Sequence, residues 1–188
     1  MFLLSAKFVK HYILVSRLPS IFLSYNPGNS AEETLAIRLH TLGAVHGFRM
    51  ALPDRYLTEE RISEGTKGRI KDCSYYILFS TQNKLSKVAL EEIQYAYEQF
   101  HDKSKIIIIY DAAQGKNMNN TDRCTELFYD RGKFTSADVF VQHVLNSIRI
   151  SETKLAAKKK KENDAVGNFV LAGLGLLLLG GLLSDDKK

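Results

Sequence analysis

Three short apolar runs are the feature that most constrains the fold of this chain. They are IFLSY at residues 21–25, YYILFS at residues 75–80 and IIIIY at residues 106–110. Such continuous runs are typical of strands that are covered on both faces. Segments with helical spacing lie between them, and residues 87–100 have the strongest pattern. This alternation predicts a parallel sheet with helices on both faces.

Weaker patterns complete the alternation. Further helices are predicted over residues 30–42, 60–72 and 136–150, and further strands over residues 46–51 and 127–129. Ser30, with Glu33 three residues later, is predicted to cap the first helix, and Gly43 is predicted to end it. We therefore expect a doubly wound, flavodoxin-like α/β domain whose five parallel strands have the order 2-1-3-4-5.

The two ends of the chain differ in composition from this region. The predicted parts are an N-terminal arm (1–19), the α/β domain (20–150), a charged linker (151–165), a hydrophobic helix (166–183) and a polar tail (184–188). Residues 166–183 carry no charge and as a helix would reach about 27 Å, close to the roughly 30 Å core of a bilayer. We expect a cytoplasmic domain anchored to the inner membrane by this segment. The alternative is a helix that packs on the domain or on a partner.

Composition excludes several classes of function. The net charge is +5, but the lysines at 158–161, 187 and 188 supply much of it, so we expect no nucleic-acid partner. Cys73 and Cys124 lie far apart and form no CxxC pair, which indicates a reducing compartment. The histidines are single, and no Walker or GxGxxG loop is present, so neither a metal site nor a bound cofactor is expected.

Candidate site residues follow from the predicted topology, because ligands of such sheets bind beyond the carboxyl ends of the strands. Ser24, Tyr25 and Asn26 follow the first strand, and residues 53–56 follow the second. In the helix over 87–100 the predicted apolar face consists of Ala89, Leu90, Ile93, Ala96, Tyr97 and Phe100. This face leaves Glu91 in solvent and places Glu92 at the border of the crevice, which makes Glu92 the candidate for a catalytic carboxylate.

Several motifs, in the right order over about 130 residues, resemble those of the Toll/interleukin-receptor (TIR) domain family. IFLSY is similar to the first TIR box, and LPDRYLTEE occupies the place of the BB loop. Ile62, Thr66 and Ile70, followed by CSYYILFS, match the family's next helix and strand. SKVALEEI is similar to the Ser-x-Trp-x-x-x-Glu-Leu pattern, with Ser86 as its serine, Glu92 as its glutamate and Val88 in place of the tryptophan.

The resemblance implies a function. Enzymatic TIR domains cleave the bond between nicotinamide and ribose in NAD+, and some cyclise the product, so the implied activity is that of an NAD+ hydrolase or cyclase in bacterial antiphage or stress signalling. NAD+ would be a substrate and not a cofactor. By resemblance Glu92 stabilises the charge on the ribose, and the implied substrate-binding residues are Ser24, Tyr25, Asn26, Asp54, Arg55, Ser86 and Val88. Self-association through the TIR domains is also implied.

Two alternatives stay open. The absence of the tryptophan at Val88 favours a TIR interaction module that assembles without catalysis. A nucleoside deoxyribosyltransferase-like enzyme shares the layout and also places a glutamate against a ribose. Exchange of Glu92 tests the first alternative, because an interaction module should keep its biological activity and an enzyme should lose it. The substrate tests the second, because a deoxyribosyltransferase-like enzyme would act on a deoxynucleoside and not on NAD+.

Overall fold

The computed structural model describes residues 19–55, 61–82 and 84–158. The chain divides into two compact units, Met1–Gln142 and His143–Lys188. Most of the predicted N-terminal arm, the end of the predicted linker and the predicted hydrophobic helix at 166–183 lie outside the described residues. Within the described ranges, no helix combines the length and the apolar character that a membrane crossing requires.

The first unit is built on a parallel sheet. Its elements are β1 (Ser20–Ser24), α1 (Ser30–Val45), β2 (Arg49–Ala51), α2 (Glu64–Asp72), β3 (Tyr75–Ser80), α3 (Lys87–Gln99), β4 (Ile106–Asp111) and β5 (Thr125–Tyr129). A short 3-10 helix, Lys103–Lys105, precedes β4, and a last helix, α4, covers residues 137–158. All strands pair in parallel in the order β2-β1-β3-β4-β5, which confirms the predicted fold class and strand order.

Alternate side chains of the strands face opposite sides of the sheet. On one side the strands form a core with α2 and α3, whose members include Phe22, Ile70, Tyr76, Leu78, Ala89, Ile93, Ala96, Ile106 and Ile108. Helix α1 packs against β1, β2 and β3 and buries Leu35 and Leu39. The central strands β3 and β4 are buried along almost their whole length, as the unbroken apolar runs predict.

The boundaries of α1 differ from the prediction. Asn29, not Ser30, caps the helix, because its side-chain oxygen accepts the N–H groups of residues 31 and 32. The helix continues through Gly43 to Val45, so the prediction that Gly43 ends it was wrong. Gly43 instead permits close packing, since a Cβ there would lie 2.5 Å from Sδ of Met50. The turn after α1 contains Gly47, whose φ is 87°. Strand β2 therefore begins at Arg49 and not at the predicted residue 46.

Two other helices also begin or end away from the predicted residues. Helix α2 begins at Glu64 because Ser63 caps it, and residues 61–63 before it are irregular. Helix α4 continues beyond Ile150 over residues 151–158, which were predicted as the start of the linker. Alanine and lysine, which make up most of 154–158, have high helix propensity and account for the longer helix.

Candidate functional site

Glu92 lies in the middle of the buried face of α3. That face consists of Val88, Ala89, Glu92, Ile93 and Ala96, and Glu92 has no solvent-exposed surface. The buried face of α3 is therefore centred on Glu92, whereas the predicted apolar face left Glu92 at its border. The helix buries this carboxylate at a position where an apolar residue is usual.

The same rotation overturns two predictions about the neighbours of Glu92. Leu90, expected on the apolar face, is 47% exposed. Glu91, expected in solvent, is half-buried, and its carboxylate accepts the backbone N–H of Ile62 at 3.0 Å. Glu91 thus holds the segment before α2 against α3.

Both oxygens of the Glu92 carboxylate are hydrogen-bonded. Ser24 Oγ at the end of β1 donates to Oε2 at 2.5 Å, and the Arg55 guanidinium donates to Oε1 at 2.5 Å and to Oε2 at 2.9 Å. Burial raises the pKa of Glu92, whereas the charge and hydrogen bonds of Arg55 and the Ser24 hydroxyl lower it. Paired charge-assisted bonds of this kind fix the orientation of both groups.

Arg55 also binds the residue after β1. Its Nη2 donates to the carbonyl oxygen of Tyr25 at 2.8 Å, and its guanidinium carbon lies 5.2 Å from the centre of the Tyr25 ring. Burial raises the pKa of Tyr25, so its hydroxyl is neutral at physiological pH. The structure thus brings Ser24, Tyr25, Arg55 and Glu92 together, with the guanidinium hydrogen-bonded to the carboxylate and over the Tyr25 ring.

Asp54 precedes Arg55 but binds in another direction. Its N–H donates to Thr66 Oγ1 at 3.0 Å, and its carboxylate binds Arg69 at 2.7 Å and accepts from Ser63 Oγ at 3.3 Å. At Gly65 a Cβ would lie 2.7 Å from the Asp54 carboxylate, so the glycine permits this approach. Asp54 therefore fixes the loop after β2 to α2, and the structure does not bring its side chain to Glu92.

Asn26 is held by a buried carboxylate that the sequence analysis missed. Glu32 in the first turn of α1 has no exposed surface. Its Oε2 accepts the N–H and the side-chain Nδ2 of Asn26 at 2.8 and 2.9 Å. Its Oε1 accepts the N–H and the hydroxyl of Thr81 at 2.8 and 3.0 Å. Acidic residues are common in the first turn of any helix, so nothing in the sequence distinguished Glu32 from a solvated one.

Ser86 and Val88 belong to a cavity beside this carboxylate network. Ser86 donates its N–H to Asn26 Oδ1 at 2.7 Å, and its hydroxyl caps α3 by accepting the N–H of Ala89 at 3.2 Å. The cavity, of about 620 Å³, is lined by residues 26–29, by Gln82, by residues 84–88 and by Leu90. Val88 is 6% exposed and forms part of its wall.

Tyr76 is a second residue that the sequence analysis did not select. It lies in β3, its ring stacks on Phe22 with centroids 5.7 Å apart, and its side chain is fully buried. Burial and the nearby Glu92 carboxylate raise the pKa of Tyr76 well above its usual value. Tyr76 is therefore a neutral hydroxyl beside Glu92. No signal distinguished it in the sequence, because an aromatic residue in a buried strand is most often a packing residue.

Other groups of the described chain give no comparable site. Burial raises the pKa of the Cys73 thiol to about 12, so it is not a nucleophile at neutral pH. Among the residues that the structure places, no group of three or more histidine, cysteine, aspartate or glutamate side chains is arranged to hold a metal ion. The polar groups at the carboxyl ends of β1, β2 and β3 are thus the candidate active site.

Comparison with known proteins finds a distant likeness among solved structures. No protein-family model matches this chain, and no curated protein matches it. Among solved structures, the chain is similar to the CMP N-glycosidase BcmB of Clostridium botulinum, at 15% sequence identity and a TM-score of 0.42. The match covers 66% of this chain and 96% of that chain. At this level of likeness, the interpretation of the site rests on its own geometry.

Proposed function

We propose that this chain is an NAD+ hydrolase or cyclase that cleaves the bond between nicotinamide and ribose, with Glu92 as its catalytic carboxylate. The observation that carries the proposal is the complete burial of Glu92 at the carboxyl end of a parallel sheet, between Ser24 and Arg55. A buried charge is costly to the fold, and such groups are often retained for chemistry.

The chemistry of the bond suits a carboxylate. As the bond between ribose C1′ and the nicotinamide nitrogen breaks, its electron pair leaves with the neutral nicotinamide and positive charge develops on the ribose. A carboxylate close to the sugar stabilises that charge more strongly in a buried site than in water. In hydrolysis a water oxygen then bonds to C1′ and a proton is released. In cyclisation an acceptor atom within the same molecule takes the place of water.

The contacts of Arg55 support the proposal. Its guanidinium is a planar cation that binds the Glu92 carboxylate and lies beside the Tyr25 ring. Nicotinamide attached to ribose is also a planar cation. We infer that the substrate displaces Arg55 from Glu92, so that Arg55 marks the binding position of the positively charged ring.

The motif resemblance to TIR domains favours NAD+ among the substrates that contain an N-glycosidic bond. Ser24, Tyr25, Ser86 and Glu92 are the matched residues, and the Asn26 side chain joins them through Ser86. TIR enzymes commonly gain activity when their domains stack, so we expect activity to rise with protein concentration.

A second candidate is a non-catalytic TIR interaction module. The observation that favours it is the closed pair of Arg55 and Glu92, since a buried carboxylate that already has three hydrogen bonds also serves as a structural link between elements. Such a module would use the pair to fix the loop after β2 for contact with a partner. It would not consume NAD+ at any concentration.

The proposal predicts that NAD+ loss depends on Glu92. The purified full chain and its Glu92→Gln variant are incubated with NAD+ over a range of protein concentrations, and products are separated by chromatography. We expect at least about a hundredfold loss of rate in Glu92→Gln, because the charge on the transition state loses its partner. Glu91→Gln is the matched control, since it alters the adjacent glutamate of the same helix, and we expect it to retain activity.

The outcomes separate the candidates. Equal rates in Glu92→Gln and Glu91→Gln would remove Glu92 from the mechanism. If the chain leaves NAD+ intact at every concentration but cleaves a 2′-deoxynucleoside, the nucleoside deoxyribosyltransferase-like activity is the better description. If neither compound is cleaved, the interaction module is the better description.

A further inference from the structure

Tyr76 carries a hydroxyl group that packing does not explain. The side chain lies in β3 and is fully buried, and its hydroxyl has no hydrogen-bond partner among the described residues. The ring packs on Phe22, and that contact does not involve the hydroxyl. A buried donor without an acceptor is unfavourable, whereas phenylalanine would fill the same space without this cost. A tyrosine at this position therefore indicates a role for the hydroxyl.

The register of the sheet places Tyr76 on the same face as Ser24. Strands β1 and β3 pair in parallel, with Tyr76 opposite Phe22 and Leu78 opposite Ser24. Alternate residues of a strand face the same side, so Tyr76 and Ser24 both face α3. Ser24 lies two residues beyond the level of Tyr76, or about 7 Å along the strand. A tyrosine side chain that leans along the strand direction can cover this distance.

The groups that act on the hydroxyl also place it beside the Glu92 site. Burial has the largest effect on the pKa of Tyr76, which it raises, and the Glu92 carboxylate raises it further. The Ser24 hydroxyl and Arg55 lower this pKa, and Cys73 has the smallest effect. A neutral hydroxyl such as that of Ser24 affects a pKa only at close range. The Tyr76 hydroxyl therefore lies near the hydrogen bond between Ser24 and Glu92.

The direction of a hydrogen bond between the two hydroxyls is fixed by their protons. Ser24 has one hydroxyl proton, which it donates to Oε2 of Glu92 at 2.5 Å. The Ser24 oxygen can therefore accept a hydrogen bond but has no proton left to donate. Tyr76 is neutral and has a proton to donate. The three groups thus suit a chain in which Tyr76 donates to Ser24 and Ser24 donates to Glu92, each bond polarising the next.

Such a chain is needed when Arg55 leaves the carboxylate. Arg55 provides two of the three hydrogen bonds on Glu92, and Ser24 provides the third. The proposed reaction requires the substrate to take the place of Arg55. Glu92 is then a buried carboxylate with a single donor, and burial favours its protonated form. A second donor that acts through Ser24 opposes this tendency.

We propose that Tyr76 is a positioning residue that replaces Arg55 during the reaction: it donates to Ser24, and the chain holds the carboxylate ionised and oriented toward the ribose. The inference rests on the proposed function. Tyr76 acts through Ser24 and does not touch the substrate, since its side chain is fully buried. The rate of the reaction therefore depends on this hydroxyl, and the affinity for the substrate does not.

The first experiment measures the ionisation of Glu92 without reference to catalysis. Arg55→Ala imitates the displacement of Arg55, and the Glu92 carboxyl is titrated by carbon-13 NMR of glutamate-labelled protein, with Glu92→Gln as the assignment reference. We expect the titration to move to higher pH when Tyr76→Phe is added to Arg55→Ala, because the ionised form loses a donor. Glu91 on α3 and Tyr25 after β1 also act on Glu92, and both stay unchanged.

Tyr110→Phe is the matched control. Tyr110 lies in β4 in the same core, and its hydroxyl is also buried without a hydrogen-bond partner among the described residues. Apart from burial, the groups that shift its pKa include Thr121 and Glu126 and not Glu92. We expect this exchange to leave the Glu92 titration in place. Neither Tyr76→Phe nor Tyr110→Phe should lower the thermal midpoint, because each removes an unpaired buried hydroxyl.

The second experiment measures NAD+ turnover in the chain that retains Arg55. We expect Tyr76→Phe to lower kcat about tenfold and to change KM by less than about twofold, because the lost hydrogen bond does not contact the substrate. The acid limb of the kcat profile should move to higher pH, since that profile reports ionisation with substrate bound. We expect Tyr110→Phe to retain the kcat and the profile of the full chain.

The outcomes distinguish this inference from the proposed function. An unchanged Glu92 titration on addition of Tyr76→Phe overturns the inference whether or not NAD+ is cleaved. A shifted titration in a chain that leaves NAD+ intact supports the hydrogen-bonded chain and refutes the proposed reaction. Cleavage that depends on Glu92 but not on Tyr76 refutes the positioning role alone. If Arg55→Ala does not fold, Arg55→Met replaces it, because methionine keeps an apolar stem without the charge.

Discussion

At position 92 a carboxylate occupies a place that packing alone would give to an apolar side chain. Ser24 and Arg55 compensate for the loss of water with three hydrogen bonds. Buried ion pairs seldom stabilise a fold beyond what apolar residues of the same size achieve, and the desolvation of each charge accounts for this. The arrangement is therefore easier to understand as a site than as part of the core.

The charge of Arg55 predicts a pH effect. In Arg55→Ala, Glu92 loses the cation that lowers its pKa, whereas the burial that raises the pKa remains. Since the proposed reaction requires ionised Glu92, the acid limb of the profile of kcat/KM against pH is expected to move to higher pH in this variant. The profile is measured on NAD+ between pH 4 and pH 9, a range that spans the ordinary titration of carboxylates.

Arg69→Ala is the control for this pH effect. Arg69 binds Asp54 and the carbonyl oxygen of Leu52 on the same loop but does not contact Glu92. Its variant disturbs the loop without changing the charge beside the carboxylate, so its acid limb stays in place. If the two variants give the same profile, Arg55 does not control the ionisation of Glu92.

Among single residues, those that belong to a recognisable motif could be predicted from the sequence. Glu92 was selected by helix position and by resemblance, and the structure places it beside Ser24 and Tyr25. The direct pairing of Arg55 with Glu92 was not predicted, because the residues are 37 positions apart and the loop that carries Arg55 has no regular spacing in the sequence. Such contacts depend on how the loop after β2 is fixed to α2.

At the scale of elements, Glu32 joins α1 to the ends of β1 and β3. Replacement by alanine leaves the N–H groups of Asn26 and Thr81 buried without an acceptor. We expect Glu32→Ala to lower the free energy of unfolding by about 3 kcal/mol, measured by urea denaturation. The neighbouring Glu33 is exposed. We therefore expect Glu33→Ala to change the free energy of unfolding by less than about 0.5 kcal/mol. Similar losses in both variants would show that the Glu32 network contributes little to the fold.

Element type was easier to predict than element boundaries. The strands β3 and β4 follow from unbroken apolar runs, and their pairing order follows from the alternation with helices. The ends of α1 depended on local contacts instead. Asn29 reaches two N–H groups that Ser30 does not, and Gly43 is required by the sulfur of Met50, which lies seven residues away. Neither contact has a signature in the sequence.

For the whole molecule, the proposed membrane anchor is testable by truncation. The structure extends α4 through residue 158, so a chain that ends there retains every described residue. We expect the intact chain to sediment with membranes and the chain that ends at Lys158 to remain in the supernatant, because residues 166–183 carry no charge. If both forms partition equally between membranes and supernatant, residues 166–183 do not anchor the chain.

The carboxylate at 92 has a consequence for directed evolution of this chain. It is fully buried in an ion pair with Arg55, and replacement of buried ion pairs by apolar side chains often raises stability. Arg55 retains some exposure and can turn to solvent once its partner is gone. A library selected only for heat resistance would therefore accumulate leucine or methionine at position 92 and lose the proposed activity without any sign in the screen. Selection schemes for this scaffold need a readout of substrate turnover from the first round.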